Sequence, residues 1–256
     1  MNIAIVTGAS SGLGGEFVRL LARDAALDEI WVIARREDRL RALQEGISTP
    51  LRALPLDLTE KSSIRELVSR LEEAQPLVRM LVNAAGFGKI GSDEDISLED
   101  CENMIDLNCR AAVAVTHAVL PYMGPGDHIM QICSTAAFQP FQYLSIYAAS
   151  KSFLYRYSRA LRVELLSRRI SVTAVCPYWI RDTEFIGTAQ KTRNSTYVRR
   201  FPLASRQRNV ARWAMSDTRL GLAVSTPGPI CLIHRIVAKF IPSELMMGLW
   251  AILRRL

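Results

Sequence analysis

The chain has 256 residues, of which 49% are hydrophobic and 22% are charged, so it has enough apolar material for the core of one large domain. The formal net charge is +7, but there is no long basic run and no nucleic-acid-binding motif, which argues against a nucleic-acid partner. The five cysteines and three histidines show no metal-ligand spacing, so we predict no metal site and expect reduced thiols.

A glycine-rich turn follows the first predicted strand. Residues 3–7 form a β-branched run that leaves no room for a signal peptide, and with reduced thiols this predicts a cytoplasmic protein. In a strand, turn and helix of this order, backbone amides and the helix dipole face a phosphate, while missing side chains allow close approach. The turn therefore predicts a pyrophosphate-binding site, formed by Gly8, Ser10, Ser11, Gly12, Leu13 and Gly14.

The end of the second predicted strand, residues 30–34, indicates which dinucleotide binds. An acidic residue there would bind the ribose 2′-hydroxyl of NAD, but Ala34 is followed by Arg35 and Arg36. Two guanidiniums favour a 2′-phosphate, so we predict NADP(H). The alternative is that these arginines only begin a solvated basic helix.

Three further elements lead to the middle of the chain. Residues 54–58 predict the third strand, although Asp57 also suits the start of a helix. Residues 80–82 predict the fourth strand, which is followed by an Asn-Ala-Ala-Gly run. A long amphipathic helix is predicted over residues 97–123, with Asn108 as an unfavourable residue near its middle.

The fifth predicted strand, residues 128–134, ends at Ser134. Ligands of open α/β sheets bind beyond the carboxyl ends of the strands, so this hydroxyl is well placed, with Thr135 and Ser145 as alternatives.

Tyr147 and Lys151 are spaced i and i+4, which places them on one helical face. A cation beside a phenol lowers its pKa, so Tyr147 is predicted to be a general acid/base. We expect a helix that begins at Lys151 and continues to about residue 167.

The last part of the chain is basic and then amphipathic. After a sixth strand at residues 170–175, residues 178–209 are irregular and rich in arginine. Apolar residues then recur at helical spacing to Leu256, with basic residues that include Arg255 between them and a break at Pro242. Neither piece reaches the ~20 apolar residues of a membrane span. We expect these helices to pack on a subunit or domain, with membrane-surface contact as the second interpretation.

These features together resemble the short-chain dehydrogenase/reductase family over nearly the whole chain. The resemblance rests on the Gly8-x-x-x-Gly12-x-Gly14 spacing, the run from Asn83 to Gly86, Asn108, and the spacing of Ser134, Tyr147 and Lys151. It implies an α/β, Rossmann-like doubly wound parallel sheet of seven strands. We expect a catalytic domain over residues 1–226, with a flap at about 178–209, and a helical extension over residues 227–256. Ala84 and Tyr178 depart from the family pattern.

The resemblance also implies a reaction and a role for each residue. A ketone and a secondary alcohol would be interconverted with NADP(H). Tyr147 would exchange the proton, Ser134 would bind the reacting oxygen, Lys151 would lower the tyrosine pKa and hold the nicotinamide ribose, and Asn108 would kink its helix and anchor a relay water. The cofactor contacts expected are Gly8, Ser10, Ser11, Gly12, Leu13, Gly14, Arg35, Arg36, Asp57, Leu58, Asn83, Ala84, Gly86, Tyr147, Lys151, Pro177 and Thr183.

The substrate and the partners are predicted from the basic flap and the apolar tail. They suit a small-molecule ketone or alcohol that is lipophilic and carries an acid group, such as a steroid, bile acid or fatty-acyl derivative. A homo-oligomer, either a dimer or a tetramer, is expected. The alternatives are a non-catalytic NADP-binding regulatory or interaction protein and a reductase that acts on lipid at a membrane surface.

Overall fold

The computed structural model describes residues 1–201 and 203–254, in which seven parallel strands form one sheet between two layers of helices. The strands are β1 (Asn2–Thr7), β2 (Glu29–Ile33), β3 (Leu51–Leu54), β4 (Leu77–Asn83), β5 (His128–Ile132), β6 (Ser171–Val175) and β7 (Val224–Ser225). The helices are α1 (Gly12–Leu21), α2 (Glu37–Ala42), α3 (Lys61–Ala74), α4 (Leu98–Ile105), α5 (Ala112–Val119), α6 (Ser145–Glu164), α7 (Phe185–Ala189), α8 (Gln207–Arg219), α9 (Pro229–Phe240) and α10 (Ser243–Leu253).

The strand order β3-β2-β1-β4-β5-β6-β7 confirms the predicted doubly wound sheet. The chain runs outward from β1 through β2 to β3, then returns to β4 on the other side of β1. Such a reversal leaves a crevice beyond the carboxyl ends of β1 and β4, where ligands of these folds bind. Strands β1, β2, β5 and β6 are almost continuously buried because helices cover both faces.

The alternation of side chains along β1 divides the core into two layers. Ile3 and Ile5 face one side, where they pack with residues of α3, α5 and α6. Ala4 and Val6 face the other side and pack with residues of α1 and α8. This period of two is the geometry of a strand buried on both faces.

Several predicted boundaries were wrong. The third strand ends at Leu54 because its neighbour β2 ends at Ile33 and Pro55 has no amide hydrogen to donate. The fifth strand ends at Ile132, the last residue paired with β6. Helix α6 begins at Ser145, six residues before Lys151, and ends at Glu164. Residues 207–209, predicted as flap, are the start of α8.

The predicted helix over residues 97–123 is divided into segments. Between α4 and α5 the six residues Asp106–Ala111 form a π-helical turn, and Leu120–Tyr122 form a final 3₁₀ turn. Asn108 lies within the π-helical turn. Single π-helical turns inside helices are frequent at functional sites, so this segment marks a candidate site residue.

The C-terminal part forms α9 and α10, which are separated at Pro242 as the sequence indicates. No helix in the described part of the chain has the length and apolarity needed to cross a bilayer. Pro202 of the predicted flap and Arg255 and Leu256 of the predicted extension lie outside the described residues.

Candidate active site

A cleft of about 1400 Å³ lies beyond the carboxyl ends of the strands and reaches the C-terminal helices. Most of the residues predicted to form the site line it: Gly8, Ser10, Ser11, Gly12, Leu13, Gly14, Arg35, Arg36, Asp57, Leu58, Ala84, Gly86, Ser134, Tyr147, Lys151, Pro177 and Thr183. Two predicted residues, Asn83 and Asn108, are not in this lining.

The glycine turn packs closely on the loop after β4. Gly8 has a φ of +67°, and a Cβ there would lie 2.8 Å from the Ala85 Cα, so neither the conformation nor the space admits a side chain. The Thr7 hydroxyl accepts hydrogen bonds from the Ala84 and Ala85 amides at 3.1 and 3.0 Å, which fixes the same loop. Sequence reasoning did not single out Thr7, whose role depends on the pairing of β1 with β4.

The first amides of α1 are available to an anion. Ser11 precedes the helix in an extended conformation, and no side chain of the described residues caps this end. Unpaired amides and the positive end of the helix dipole form an anion-binding site. Gly12 and Gly14 line the cleft beside them.

The arginines after β2 form a cationic group at one end of the cleft. Arg36 Nη2 lies 3.3 Å from Ser10 Oγ and 2.9 Å from Glu184 Oε2. Arg35 Nη1 lies 3.8 Å from Asp57 Oδ2. Arg39, which the sequence did not single out, also reaches Glu184, with Nη1 2.5 Å from Oε1. These guanidiniums are paired with two carboxylates, those of Glu184 and Asp57, so the donor set fits an anionic group such as the 2′-phosphate of NADP(H).

Ser134, Tyr147 and Lys151 are buried on the cleft wall, with exposed fractions of 9%, 8% and 4%. Ser134 precedes a short 3₁₀ turn, and its Oγ accepts a hydrogen bond from the Ala136 amide at 3.1 Å. Tyr147 and Lys151 lie one turn apart on α6. A Cβ at Gly88 would lie 2.7 Å from Tyr147 Cδ2, so the tyrosine ring packs against bare backbone.

The protonation of Tyr147 differs from the expectation. Burial raises its pKa to about 12, while the nearby Ser134 side chain acts in the opposite direction. Lys151 donates to the Ile132 carbonyl oxygen at 2.8 Å, and its Nζ lies 5.8 Å from the centre of the tyrosine ring. The ammonium is therefore held by a carbonyl group, and the predicted lowering of the tyrosine pKa is not found. Burial lowers the pKa of Lys151 itself.

Asn108 is fully buried and connects three elements beneath the cleft. Its Oδ1 accepts from the Phe87 amide at 3.1 Å, and its Nδ2 donates to the Phe87 carbonyl and to Ser150 Oγ, both at 2.9 Å. Ser150 precedes Lys151 on α6, so Asn108 joins the loop after β4 to the helix of the tyrosine and lysine. A Cβ at Gly86 would lie 2.7 Å from Asn108 Oδ1 and 3.2 Å from Lys151 Nζ.

Asn83 requires a correction. Its side chain is 3% exposed and is directed into the core, where Nδ2 donates to Thr116 Oγ1 at 2.9 Å. The amide is thus engaged with α5 and does not line the cleft. The structure gives no support to a cofactor contact by this side chain, because the last residue of a buried strand can point into the helical layer as well as toward the ligand.

The other end of the cleft is mostly apolar, and most of the residues that line it were not predicted from the sequence. The side chains that line it from the C-terminal helices are Ile230, Ile233, His234, Val237, Met246, Leu249, Trp250, Leu253 and Arg254. Trp250 packs edge-on against Phe141 and donates to the Gln142 carbonyl at 3.2 Å. His234 Nε2 lies 2.8 Å from Gln139 Oε1. The helical spacing was visible in the sequence, but the face that meets the cleft was not.

Lys89 is a second buried cation in the lining of the cleft. Its Nζ lies 3.1 Å from Asp100 Oδ2 and donates to the Lys191 carbonyl at 2.9 Å, so it joins α4 to the flap. Nothing in its sequence neighbourhood indicated this role. Among the described residues no cluster of His, Cys, Asp and Glu could hold a metal ion.

Comparisons with known proteins agree with this geometry. Residues 2–194 match the sequence model of the short chain dehydrogenase family. The chain is 36% identical over 190 residues to sulfoacetaldehyde reductase 2 of Chromohalobacter salexigens, covering 72% of this chain and 74% of that protein. It is 32% identical over 206 residues to the NADP-dependent 3-hydroxy acid dehydrogenase YdfG of Escherichia coli, covering 76% and 82%. A short-chain dehydrogenase from Sphingobium yanoikuyae in complex with NADPH superimposes with a TM-score of 0.80 at 28% identity, covering 97% and 95%.

Proposed function

Because this chain belongs to the short-chain dehydrogenase family, we propose that it is an NADP(H)-dependent oxidoreductase that interconverts a ketone and a secondary alcohol. One observation carries the proposal: Ser134, Tyr147 and Lys151 line the same cleft as the glycine turn and the arginines. A hydride carrier and a proton donor can therefore act on one substrate carbonyl. Two relatives support the choice of NADP(H), since one binds NADPH and one is described as NADP-dependent.

The cofactor is proposed to lie along the glycine turn, with its 2′-phosphate at Arg35, Arg36 and Arg39. When bound, its nicotinamide supplies or accepts the hydride at the carbonyl carbon. Asp57, Leu58, Ala84, Gly86, Pro177 and Thr183 line the cleft between these groups and are proposed as further contacts.

Tyr147 is proposed to move the proton. With a pKa of about 12 the phenol is protonated at neutral pH, which suits it to donate to the oxygen of a carbonyl as that carbonyl is reduced. Ser134 would donate a second hydrogen bond to the same oxygen and stabilise the charge that develops there. Lys151 adds a nearby positive charge, and Asn108 is a positioning residue that holds α6 against the loop after β4.

The test measures NADPH binding and turnover of a carbonyl panel for the wild type and Tyr147→Phe. We expect NADPH binding to persist in the variant while turnover falls by about 10²- to 10⁴-fold, because the proton donor is lost. Tyr155→Phe is the matched control, since Tyr155 is also on α6 but does not line the cleft.

The outcomes separate the proposal from its alternatives. Undiminished turnover in Tyr147→Phe would refute the acid/base assignment. A preference for NADH would refute the proposal that the arginines bind the 2′-phosphate. A wild type that binds NADPH but reduces no carbonyl of the panel would favour a non-catalytic NADP-binding protein.

The substrate is proposed to be a lipophilic ketone or alcohol that carries an acid group. The cleft wall from α9 and α10 is apolar, and Arg200 and Arg254 are cations in the same lining. By their names, two relatives act on sulfoacetaldehyde and on 3-hydroxy acids, which are anionic compounds. Long-chain keto acids compared with their methyl esters and with small polar ketones test this. A preference for sugars or small polar ketones would contradict it.

We also propose that the chain divides into a catalytic domain (1–226) and a helical extension (227–256). One side of α10 buries Met246 and Trp250, while Leu245, Ile252 and other apolar side chains are exposed. Association with a second copy of the chain is the preferred interpretation of these exposed residues, and membrane-surface contact is the alternative.

A further inference from the structure

Glu184 spans the cleft from the flap to the arginine turn. It lies immediately before α7, and its two carboxylate oxygens reach Arg36 Nη2 at 2.9 Å and Arg39 Nη1 at 2.5 Å. The hydrogen bond to Arg39 joins residues 145 positions apart in the sequence. Two guanidiniums therefore converge on one anion, and that anion belongs to the protein itself.

The residue before Glu184 lies over the glycine turn. A Cβ at Gly12 would be 3.5 Å from Thr183 Cγ2, so the flap contacts the start of α1 at this point. Arg36 also donates to Ser10 Oγ of the same turn. Residues 183 and 184 thus bridge the phosphate-binding turn and the arginines along the groove proposed for the cofactor.

A carboxylate and a phosphate compete for the same donors. Guanidiniums bind both through parallel, charge-assisted hydrogen bonds, and one pair of guanidiniums cannot hold two anions in contact without strong repulsion between them. We infer that Glu184 is a specificity-determining residue that competes with the 2′-phosphate of the cofactor for Arg36 and Arg39, so that phosphate binding releases the flap from the arginine turn. This inference rests on the proposed function, because it requires that turn to receive a 2′-phosphate.

The electrostatics of Glu184 agree with this role. Arg39 and then Arg36 lower the pKa of its carboxyl group, so it is ionised at neutral pH and competes as an anion. Its side chain is 49% exposed, so water can solvate the carboxylate once it is displaced. Exposed ion pairs of this kind are weak enough to exchange with a better anion.

The test uses the full chain and two nucleotide probes, adenosine 2′,5′-bisphosphate and AMP, with calorimetric titration of the wild type and Glu184→Gln. We expect the variant to bind the bisphosphate about fivefold more tightly, because the competing charge is removed, and to bind AMP within about twofold of the wild type. Glu37→Gln is the matched control. Glu37 is also 49% exposed and pairs with an arginine, Arg41, but does not line the cleft.

Three outcomes would overturn the inference. If the wild type prefers the bisphosphate but Glu184→Gln binds it equally or less tightly, Glu184 does not compete and the proposed cofactor choice stands. The substitution Glu184→Gln can also be made in a protein that already carries Arg36→Gln and Arg39→Gln. If it still raises the affinity for the bisphosphate there, the effect does not act through these guanidiniums. If the wild type binds both probes equally, the 2′-phosphate site and this inference fail together.

Discussion

At the scale of single residues, the site depends on positions where a side chain cannot fit. Gly86 lines the cleft where the loop after β4 passes Asn108 and Lys151. The first atom that any side chain there would meet is the Asn108 amide oxygen. Asn108 is fully buried, and this oxygen already accepts a hydrogen bond. The loop and the two polar residues can therefore keep their arrangement only with glycine at this position.

Gly86→Ala is expected to impair turnover more than folding. The added Cβ would lie 2.7 Å from Asn108 Oδ1, so the loop or the Asn108 side chain must shift, at a cost of about 1–3 kcal/mol. Turnover assays and urea unfolding measure the two effects. Gly248→Ala is the control, because a Cβ there meets nothing within 4 Å and alanine favours the helix. Full activity in Gly86→Ala would show that the loop adapts.

The titration of Tyr147 is a second residue-scale prediction. Burial raises its pKa to about 12, and a raised pKa keeps an acid protonated to higher pH. We expect no tyrosinate absorbance from this residue in the cofactor-free protein between pH 7 and about pH 10. The difference spectrum between the wild type and Tyr147→Phe isolates its signal. A tyrosinate band that grows in near neutral pH would instead mean that Lys151 controls the phenol.

At the scale of elements, α10 completes the apolar end of the cleft and supports the loop that precedes α6. Trp250 provides the main contact, since it packs on Phe141 and donates to the Gln142 carbonyl. In return, Gln142 Nε2 donates to the Met247 carbonyl at 3.3 Å. The chain end and the loop before Tyr147 are thus held together by contacts in both directions.

Trp250→Ala should loosen this contact. We expect a loss of about 3 kcal/mol in the free energy of unfolding and a higher KM for lipophilic substrates, because a buried aromatic ring and part of the cleft wall are removed. Urea unfolding and steady-state kinetics measure these changes. Trp213→Ala is the control, since Trp213 is 51% exposed on α8 and should change stability by under about 0.5 kcal/mol. Unchanged stability and KM in Trp250→Ala would show that α10 does not form part of the substrate site.

At the scale of the whole molecule, the outer surface of α9 and α10 is unusually apolar. Ile236 and Phe240 are 50% and 75% exposed and do not line the cleft. An exposed apolar surface of this kind is typical of an interaction site. No part of the described residues covers this surface, so the molecule that binds there is a prediction.

We expect the protein to form a dimer or tetramer through this surface. Ile236→Glu combined with Phe240→Glu should then reduce the mass in solution to that of one chain, because charges would be buried at the interface. Light scattering after gel filtration measures the mass, and Leu220→Glu, at an exposed site after α8, is the control. A monomeric wild type that floats with anionic liposomes would favour the membrane alternative. A monomer that does not float would contradict both.

The sequence alone determined the parts of this protein that depend on local periodicity. The glycine turn between β1 and α1, the arginines after β2 and the i, i+4 spacing of Tyr147 and Lys151 could all be predicted, because backbone geometry fixes how neighbouring residues lie relative to one another. The family resemblance that these motifs carry also implied the doubly wound sheet, which the strand order confirms. Each of these features needs only a short stretch of chain.

Only the tertiary structure decided what depends on contacts between distant segments. The side chain of Asn83 points into the core toward Thr116, Glu184 meets Arg36 and Arg39, and α10 closes the cleft. The raised pKa of Tyr147 also belongs here, since its main cause is burial, which the i, i+4 spacing does not indicate. The physical reason is that burial and long-range pairing depend on how the layers pack, which local sequence patterns do not specify.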